Sequence, residues 1–421
     1  MRRRVHWTTA VAVLLLPVAL VTLSAIASIE IANPEDVGLS TDRLGRIHEA
    51  VQRHIADQNI TGAVTAVTRR HRLVHLEAHG LMDVEAGTAM TEDAIFKIMS
   101  MTKPVVGVAI LMLMEEGALR LNDPVSRFIP ELADLSVAVE RPAGRNRGDG
   151  PPPFYTVPAS RPITVQDLLT HTSGLASGPI SNREAGLVAA QAPGDALADL
   201  IPKLGEAPLE FQPGDRWAYS ASRGFDVLLR IVEIASGQPA DQFLRTRIFD
   251  PLGMTDTYFW APEAARSRVA TVYQRTRDGL TRSQNQVGAT SQTYFSGGGG
   301  LMSTATDYLQ FGQMLLNGGE LNGARLLSPS TIDLMSSPHV AEFGFGRISP
   351  GLGFGLSVQV VNDPVAANQR VGAGSFGWDG AYGTHFWVDP AEQIVGVVMI
   401  QTPNFQVSRD VENALMQAIV D

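Results

Sequence analysis

Ser100 and Lys103 stand three apart in Ser100-Met101-Thr102-Lys103. On a helix, positions i and i+3 share a face, so the amine can reach the hydroxyl. A serine hydroxyl is a weak nucleophile until a neighbour takes its proton. A lysine can take it only where burial disfavours the charged amine. Val105 to Met114, apolar apart from Gly107, predicts a buried helix beside Lys103 that offers such a setting. Pro104 fits the first turn of that helix, where amides lack intrahelical partners. The Ser100 amide is one of those free donors and can point at a developing oxyanion. By itself a Ser-x-x-Lys tetrad is weak, since it arises often by chance and also describes a solvated helix start.

Other chemistries find less support. The chain has no Cys, which excludes disulfides, thiolate zinc sites and cysteine nucleophiles. Ser375 in Ala373-Gly374-Ser375-Phe376-Gly377 and Ser222 in Ser220-Ala221-Ser222-Arg223-Gly224 approach the G-x-S-x-G elbow, but both lack its first Gly. A triad built on Ser222 would need an acid and then a histidine downstream, for which His339 and His385 are available. His171, in a turn before a Gly, reads as a hydrogen-bonded structural residue. His75 and His79 fall in a strand pattern, on one face but with no third ligand in view, so the sequence assigns no metal and no cofactor.

The elements that would position these residues follow from hydrophobic periodicity. Thr41 to Ile60 carries Leu44, Ile47, Val51 and Ile55 at helical spacing, with Ser40 or Thr41 as cap. Gly62 to Asp83 reads as a strand pair. Residues 138–162, rich in Pro, Gly and Arg, read as an exposed loop, either part of a substrate entrance or a surface excursion. Phe225, Leu228, Leu229 and Val232 form one helical stripe, and Tyr308, Phe311 and Leu315 another. Thr384 to Val388 and Ile394 to Ile400 flank the turn Asp389-Pro390-Ala391-Glu392 as a hairpin, and Val411 to Ile419 closes the chain as a helix. The order suggests a sheet built from both chain ends with a largely helical middle inserted.

The first residues read as an export leader: Arg2 to Arg4, an apolar run from Ala10 to Leu23, and Ala25-Ile26-Ala27 as a cleavage site. The alternative is an uncleaved N-terminal anchor. Cleavage would remove three Arg and no acid, taking the formal charge from −10 to −13. Such an acidic chain argues against nucleic acid and anionic membrane surfaces as partners. No later stretch is apolar for long enough to span a bilayer.

Phe96 to Pro104 strongly resembles the nucleophile segment of class C β-lactamases, DD-peptidases and their family VIII carboxylesterase relatives. Leu168-Leu169-Thr170-His171-Thr172-Ser173-Gly174-Leu175 is similar to their LLTHTSGL element, Pro251-Leu252-Gly253-Met254 to their PLGM element, and Gly297 to Ser303 to their GGGGLxST segment. Phe211-Gln212-Pro213-Gly214 and Trp217-Ala218-Tyr219-Ser220 resemble the approach to their catalytic Tyr. The resemblance spans essentially the whole chain after the leader, in the family's order. It makes Tyr219 a third catalytic candidate, able to accept the Ser100 proton and return it to the leaving group. It departs from the family at two places. Tyr219-Ser220-Ala221 lacks the Asn of the Y-x-N motif, and Trp378-Asp379-Gly380 stands where K-T-G or H-x-G is expected. Both departures weigh against β-lactam recognition. By analogy the Ala381 amide is the second oxyanion donor, with Trp378 a wall of the site and Gly380 permitting close approach of its strand to substrate.

The fold so implied is α/β (α+β), β-lactamase-like: an antiparallel sheet flanked by helices with an inserted helical domain. Its expected division is a leader at 1–27, an α/β part at about 28–98 and 285–421, and a helical part at about 99–284. The function implied is an exported serine hydrolase that cleaves carboxylic esters of small molecules through a Ser100 acyl-enzyme. A β-lactamase, a D-amino-acid peptidase or amidase, or an acyltransferase with the same nucleophile is the neighbouring alternative. A non-catalytic ligand-binding domain is the remote one.

Overall fold

Two-residue alternation of apolar side chains builds the centre of the molecule. The computed structural model describes residues 29–141, 154–277, 279–284, 292–341 and 349–421. The expected leader at 1–27 lies outside the described residues. The sheet strands are β1 (Gly62–Arg69), β2 (Arg72–Asp83), β3 (Thr88–Ala89), β4 (Leu352–Phe354), β5 (Gln359–Val361), β6 (Phe376–Asp379), β7 (His385–Asp389) and β8 (Ile394–Met399). They form one eight-stranded sheet in the order β4-β5-β6-β7-β8-β1-β2-β3. Every pairing is antiparallel. Both chain ends thus contribute, and they meet where Val64 pairs with Met399 and Thr68 with Val395.

Both faces of the sheet are covered. Val64, Ala66, Val395, Val397 and Phe386 belong to the larger core, while Ala63, Val67, Val398 and Trp387 belong to a second. Helices α1 (Arg46–Ala56) and α5 (Phe405–Met416) cover the second face. Helices α2 (Thr102–Glu115), α3 (Arg223–Ser236) and α4 (Ala305–Leu316) belong to the larger core. As the all-round apolar pattern predicted, α2 is buried continuously from Thr102 to Leu113.

Three boundaries differ from expectation. The first helix divides into Thr41–Leu44 and α1, capped by Ser40, and stops at Ala56, because Gln58 turns to φ +54°. The segment 138–162 is not simply an exposed loop. Ser136–Glu140 pairs with Phe154–Pro158 as a hairpin, and residues 142–153 between them lie outside the described residues. The apolar alternation at Val137 and Val139 was masked by the Pro, Gly and Arg that follow. The middle of the chain also holds a second hairpin, Tyr273–Thr276 with Gly279–Arg282, so it is not helical throughout.

One packing contact ties this frame to Ser100. The fully buried Tyr308 of α4 donates its hydroxyl to the Met101 carbonyl at 2.7 Å, one residue beyond the candidate nucleophile. Tyr308→Phe leaves that carbonyl without its partner. Loss of a buried partner costs about 1–3 kcal/mol, which urea unfolding should show as a lower midpoint at unchanged slope. An unchanged midpoint would mean the carbonyl finds another donor.

Candidate active site

Ser100 sits in the 3-10 turn Met99–Met101, which runs into α2 at Thr102, rather than in the α-helix itself. Met99 takes φ +47°, a left-handed conformation unfavourable for a residue with a β-carbon. Such strain persists only where the surroundings over-determine it, and here they do. Phe96 and Lys97 pair with Ser303 and Met302. The Ile98 amide donates to the Leu301 carbonyl at 3.1 Å, and the Thr384 hydroxyl donates to the Ile98 carbonyl at 3.2 Å. Ser100 is therefore aimed by two neighbouring segments.

Lys103 lies one helical turn further on and is fully buried. Its Nζ donates to Ser100 Oγ at 3.1 Å, to the Ala221 carbonyl at 2.7 Å and to the Gly298 carbonyl at 2.6 Å. An ammonium has three N–H donors and no acceptor, so this cage fits a fixed cation. Tyr219 donates its hydroxyl to Ser100 Oγ at 2.7 Å, and its ring centre lies 4.9 Å from Lys103 Nζ. Ser100 Oγ thus touches both a cation and a phenol, which together can withdraw its proton and offset the resulting charge.

Two buried side chains support this group. Asp226, near the start of α3, accepts from the Gly298 amide at 3.1 Å, the Ser296 hydroxyl at 2.8 Å and the Tyr294 hydroxyl at 2.7 Å. It thereby holds the strand of glycines whose carbonyl receives Lys103. Gly298 allows this, since a β-carbon there would come 2.4 Å from Ser222 Cα. His171 is structural, as its sequence context indicates. Its Nδ1 accepts the Ser220 amide at 3.2 Å, and its ring centre lies 4.6 Å from that of Tyr219. Burial and then the Lys103 charge hold its pKa well below the ordinary value, so it packs as a neutral ring.

A cleft of about 500 Å³ opens over Ser100 and Tyr219. Trp378, Asp379, Gly380 and Ala381 all line it, so the structure brings the sequence-selected residues together, with Lys103 beneath. Trp378 is buried against Tyr219 and Phe354, with ring centres 5.6 and 5.1 Å away. Gly380 lines the cleft and also makes room for the frame, because a β-carbon would come 2.3 Å from the Ile98 carbonyl and 2.0 Å from Thr384 Oγ1. Its amide is also engaged, donating to the Thr384 carbonyl at 2.7 Å. The exposed Ala381 amide has no such acceptor among the described residues.

Glu412 and Arg409 of the cleft were not singled out from the sequence, and His385 was offered only as the histidine of a Ser222 triad. Asp379 Oδ1 lies 2.6 Å from His385 Nδ1, and Glu412 of α5 approaches the other ring nitrogen at 3.9 Å. Burial alone would lower the His385 pKa, but Asp379 and Glu412 outweigh it and the net shift is upward. Arg409 lines the same cleft from α5. Asp226 carried no motif signal beyond its place on the α3 stripe, whereas the run Gly297 to Gly300 was visible without its role. The serine decoys do not assemble: Ser375 Oγ is buried without a hydrogen-bond partner among the described residues. His339 bonds to the Leu334 carbonyl and Gln166 instead.

A family model described as Beta-lactamase matches residues 47–421. Protein Rv1367c of Mycobacterium tuberculosis is 38% identical over 372 residues, covering 84% of this chain and 89% of its own length. Esterase EstB of Burkholderia gladioli is 31% identical over 399 residues, covering 89% and 94%. Among solved structures, EstCE1, described as a hydrolase with promiscuous acyltransferase activity, superimposes with a TM-score of 0.75 at 26% identity, covering 89% of this chain and 99% of that one.

The Asp226 contacts carry their own test. Asp226→Ala removes the acceptor of the Gly298 amide and of the Ser296 and Tyr294 hydroxyls, and the carboxylate 3.5 Å from the Arg223 guanidinium. Breaking a buried charged group of this kind costs about 3–5 kcal/mol. Asp226→Asn, which keeps an acceptor oxygen, should recover part of the loss in denaturant titration. An alanine variant as stable as the parent would remove Asp226 from the support of the site.

Proposed function

The chain belongs to the beta-lactamase family and is a serine hydrolase of that fold; from this premise we propose that it is a carboxylesterase working through an acyl-enzyme on Ser100. The observation that carries the reading is Trp378, an indole packed beside Tyr219 where β-lactam- and peptide-cleaving relatives place a cation. The esterase EstB, alike over most of its length, supports the same class.

In this reading Lys103, caged by three acceptors, stays a cation, and Tyr219 moves the proton. The step starts with Tyr219 as a phenolate, its own proton given up to solvent and its charge offset by the Lys103 cation beside it; as Ser100 Oγ attacks the ester carbon, the serine proton passes to that phenolate oxygen. The carbonyl electron pair shifts to oxygen, which the Ser100 and Ala381 amides receive as an oxyanion hole. Collapse expels the alkoxide, which takes the proton back from Tyr219. Water then follows the same route: Tyr219 removes its proton, the acyl group transfers to it, and Ser100 Oγ is protonated again. Lys103 compensates the negative charge at each stage.

Substrate class follows from the walls. A carboxylate held against Trp378 meets an indole and not a cation, so hydration lost at that wall is not replaced. Lack of a charge-assisted partner is worth on the order of 1.5–3 kcal/mol, or about one to two decades in kcat/KM. Neutral acyl chains avoid that penalty and gain the Trp378 and Leu352 surface. An alkoxide also leaves more readily than an amide nitrogen.

Two measurements test these assignments. Tyr219→Phe should lower kcat by roughly two orders of magnitude or more, the scale of a positioned acid–base group, and Lys103→Ala by about as much, the scale of a lost electrostatic stabiliser. The double variant should be little worse than the worse single, since groups acting as a unit are non-additive. Near-native turnover by Tyr219→Phe would refute its role. In a panel of p-nitrophenyl esters against a chromogenic cephalosporin, short-chain esters should lead in kcat/KM by about tenfold or more. A preference for the cephalosporin over every ester would overturn the class and hand carboxylate binding to Arg409.

A further inference from the structure

The second face of the sheet carries a separate constellation. On β2, His75, Glu77 and His79 stand opposite Val67, Thr65 and Ala63 of β1. Paired residues project to one side, and Ala63 and Val67 belong to the core that α1 and α5 cover. The α2 helix that follows Ser100 packs in the other core. From α1, His48 reaches the same place. Donor atoms of His48, Glu77 and His79 all lie within 4.8 Å of one another. His48 Nδ1 is 2.6 Å from Glu77 Oε1, which is 3.8 Å from His79 Nδ1.

The informative atom is His79 Nδ1, which is enclosed and has no hydrogen-bond partner among the described residues. The other nitrogen of that ring, Nε2, lies 3.2 Å from Thr65 Oγ1, and His75 Nε2 lies 2.7 Å from the same oxygen. A hydroxyl has one proton, so it donates to one imidazole and accepts from the other. If His79 Nε2–H donates to it, Nδ1 is a bare lone pair facing the Glu77 carboxylate with no proton between them. If His79 Nε2 accepts, Nδ1 carries a proton with no acceptor in range. Each arrangement leaves a buried polar atom unsatisfied, which is unfavourable. A cation between His79 and Glu77 resolves the first.

We propose that His48, Glu77 and His79 bind a divalent transition-metal ion, zinc by the chemistry of the set, that clips α1 to β2. Two imidazoles and one carboxylate suit zinc, with water in an open fourth position. Such nitrogen-rich sets disfavour calcium and magnesium, which take oxygen ligands. At zinc bond lengths of about 2.0–2.1 Å, tetrahedral ligand atoms stand roughly 3.3 Å apart. The His48 and Glu77 side chains are 50% and 35% exposed, free to rotate onto a fixed His79. Thr65 supplies the hydrogen bond on the second ring nitrogen that ligating histidines ordinarily have. His75, which the sequence pairs with His79, serves Thr65 and is not a ligand. The other two ligands were invisible in the sequence because one lies on another element and the other is an ordinary strand glutamate.

The test is calorimetric titration of the full chain, freed of metal by EDTA and exchanged into chelator-free buffer, with ZnCl₂. We expect one site per chain, a Tm raised by about 2 °C or more at saturation, and affinity weakened at least about tenfold in both His48→Ala and Glu77→Gln. These two side chains reach solvent, and circular dichroism of each variant confirms that it is folded. Absence of a stoichiometric site would overturn the proposal. So would titrations of the two variants that match the parent, since zinc would then be bound elsewhere.

Discussion

A lysine with no exposed surface is the constraint around which the site is arranged. An ammonium leaves water only where its donors are met, and leaving such a charge unpaired inside a protein is strongly unfavourable. Lys103 meets its acceptors on three separate stretches of chain: its own helical turn, the segment after Tyr219, and the glycines before β-strand Met302–Ser303. Two of the acceptors are backbone carbonyls, and at Ala221 the contact does not depend on the side chain. This explains how the site tolerates Ala221 where relatives of the resembled family carry Asn. The position lost a side chain but kept the carbonyl that matters to Lys103.

The same demand fixes the surroundings. The Gly298 carbonyl stays in place because Asp226 holds the amide of the same residue. Tyr219 stays in place because it packs on a neutral His171, itself held by the Ser220 amide. On the opposite side, β6 closes on the Met99–Met101 turn through Gly380 and Thr384. The nucleophile candidate is therefore gripped between a helical layer and the sheet, and neither alone could position it. A sheet made of both chain ends has a direct consequence here: residues 98 and 384, distant in sequence, share a hydrogen bond beside Ser100.

What was legible in the sequence divides along that line. Ser100, Lys103 and the buried character of α2 could be read locally, because helical spacing and continuous apolarity are properties of one short segment. The hairpin β7–β8 and the helices α3 and α4 were legible for the same reason. Tyr219 and Trp378 needed the resemblance, since nothing local distinguishes a catalytic tyrosine from a packed one. Asp226 and Glu412 were not recognisable as site residues, and His385 was read only as a histidine for Ser222, because their significance comes from contacts across the fold. The strand at Ser136–Glu140 was lost to composition: a Pro- and Gly-rich stretch beyond it outweighed its alternating Val137 and Val139. At Gly380 the need for close approach was read from the residue type, while the approach of the Ile98 carbonyl, which comes from another segment, was not.

The cleft is chemically two-sided, and this bears on how an ester would lie in it. Near Ser100 the wall is aromatic, formed by Tyr219 and Trp378. Farther toward α5 it is charged, with the Asp379–His385 pair, Glu412 and Arg409. The pair does not offer a free cation: His385 Nδ1 lies 2.6 Å from Asp379 Oδ1, and Asp379 and Glu412 raise its pKa against the opposing effect of burial. An apolar group gains nothing at that end and gains dispersion and burial at the indole. A polar or hydrated group is better placed among the charges, where its hydrogen bonds can be replaced. Under the esterase reading proposed above, the arrangement would orient an ester whose two halves differ in polarity, with the apolar half against Trp378. Discrimination in such a site comes from the unequal match of the two halves to the two walls, more than from any one contact.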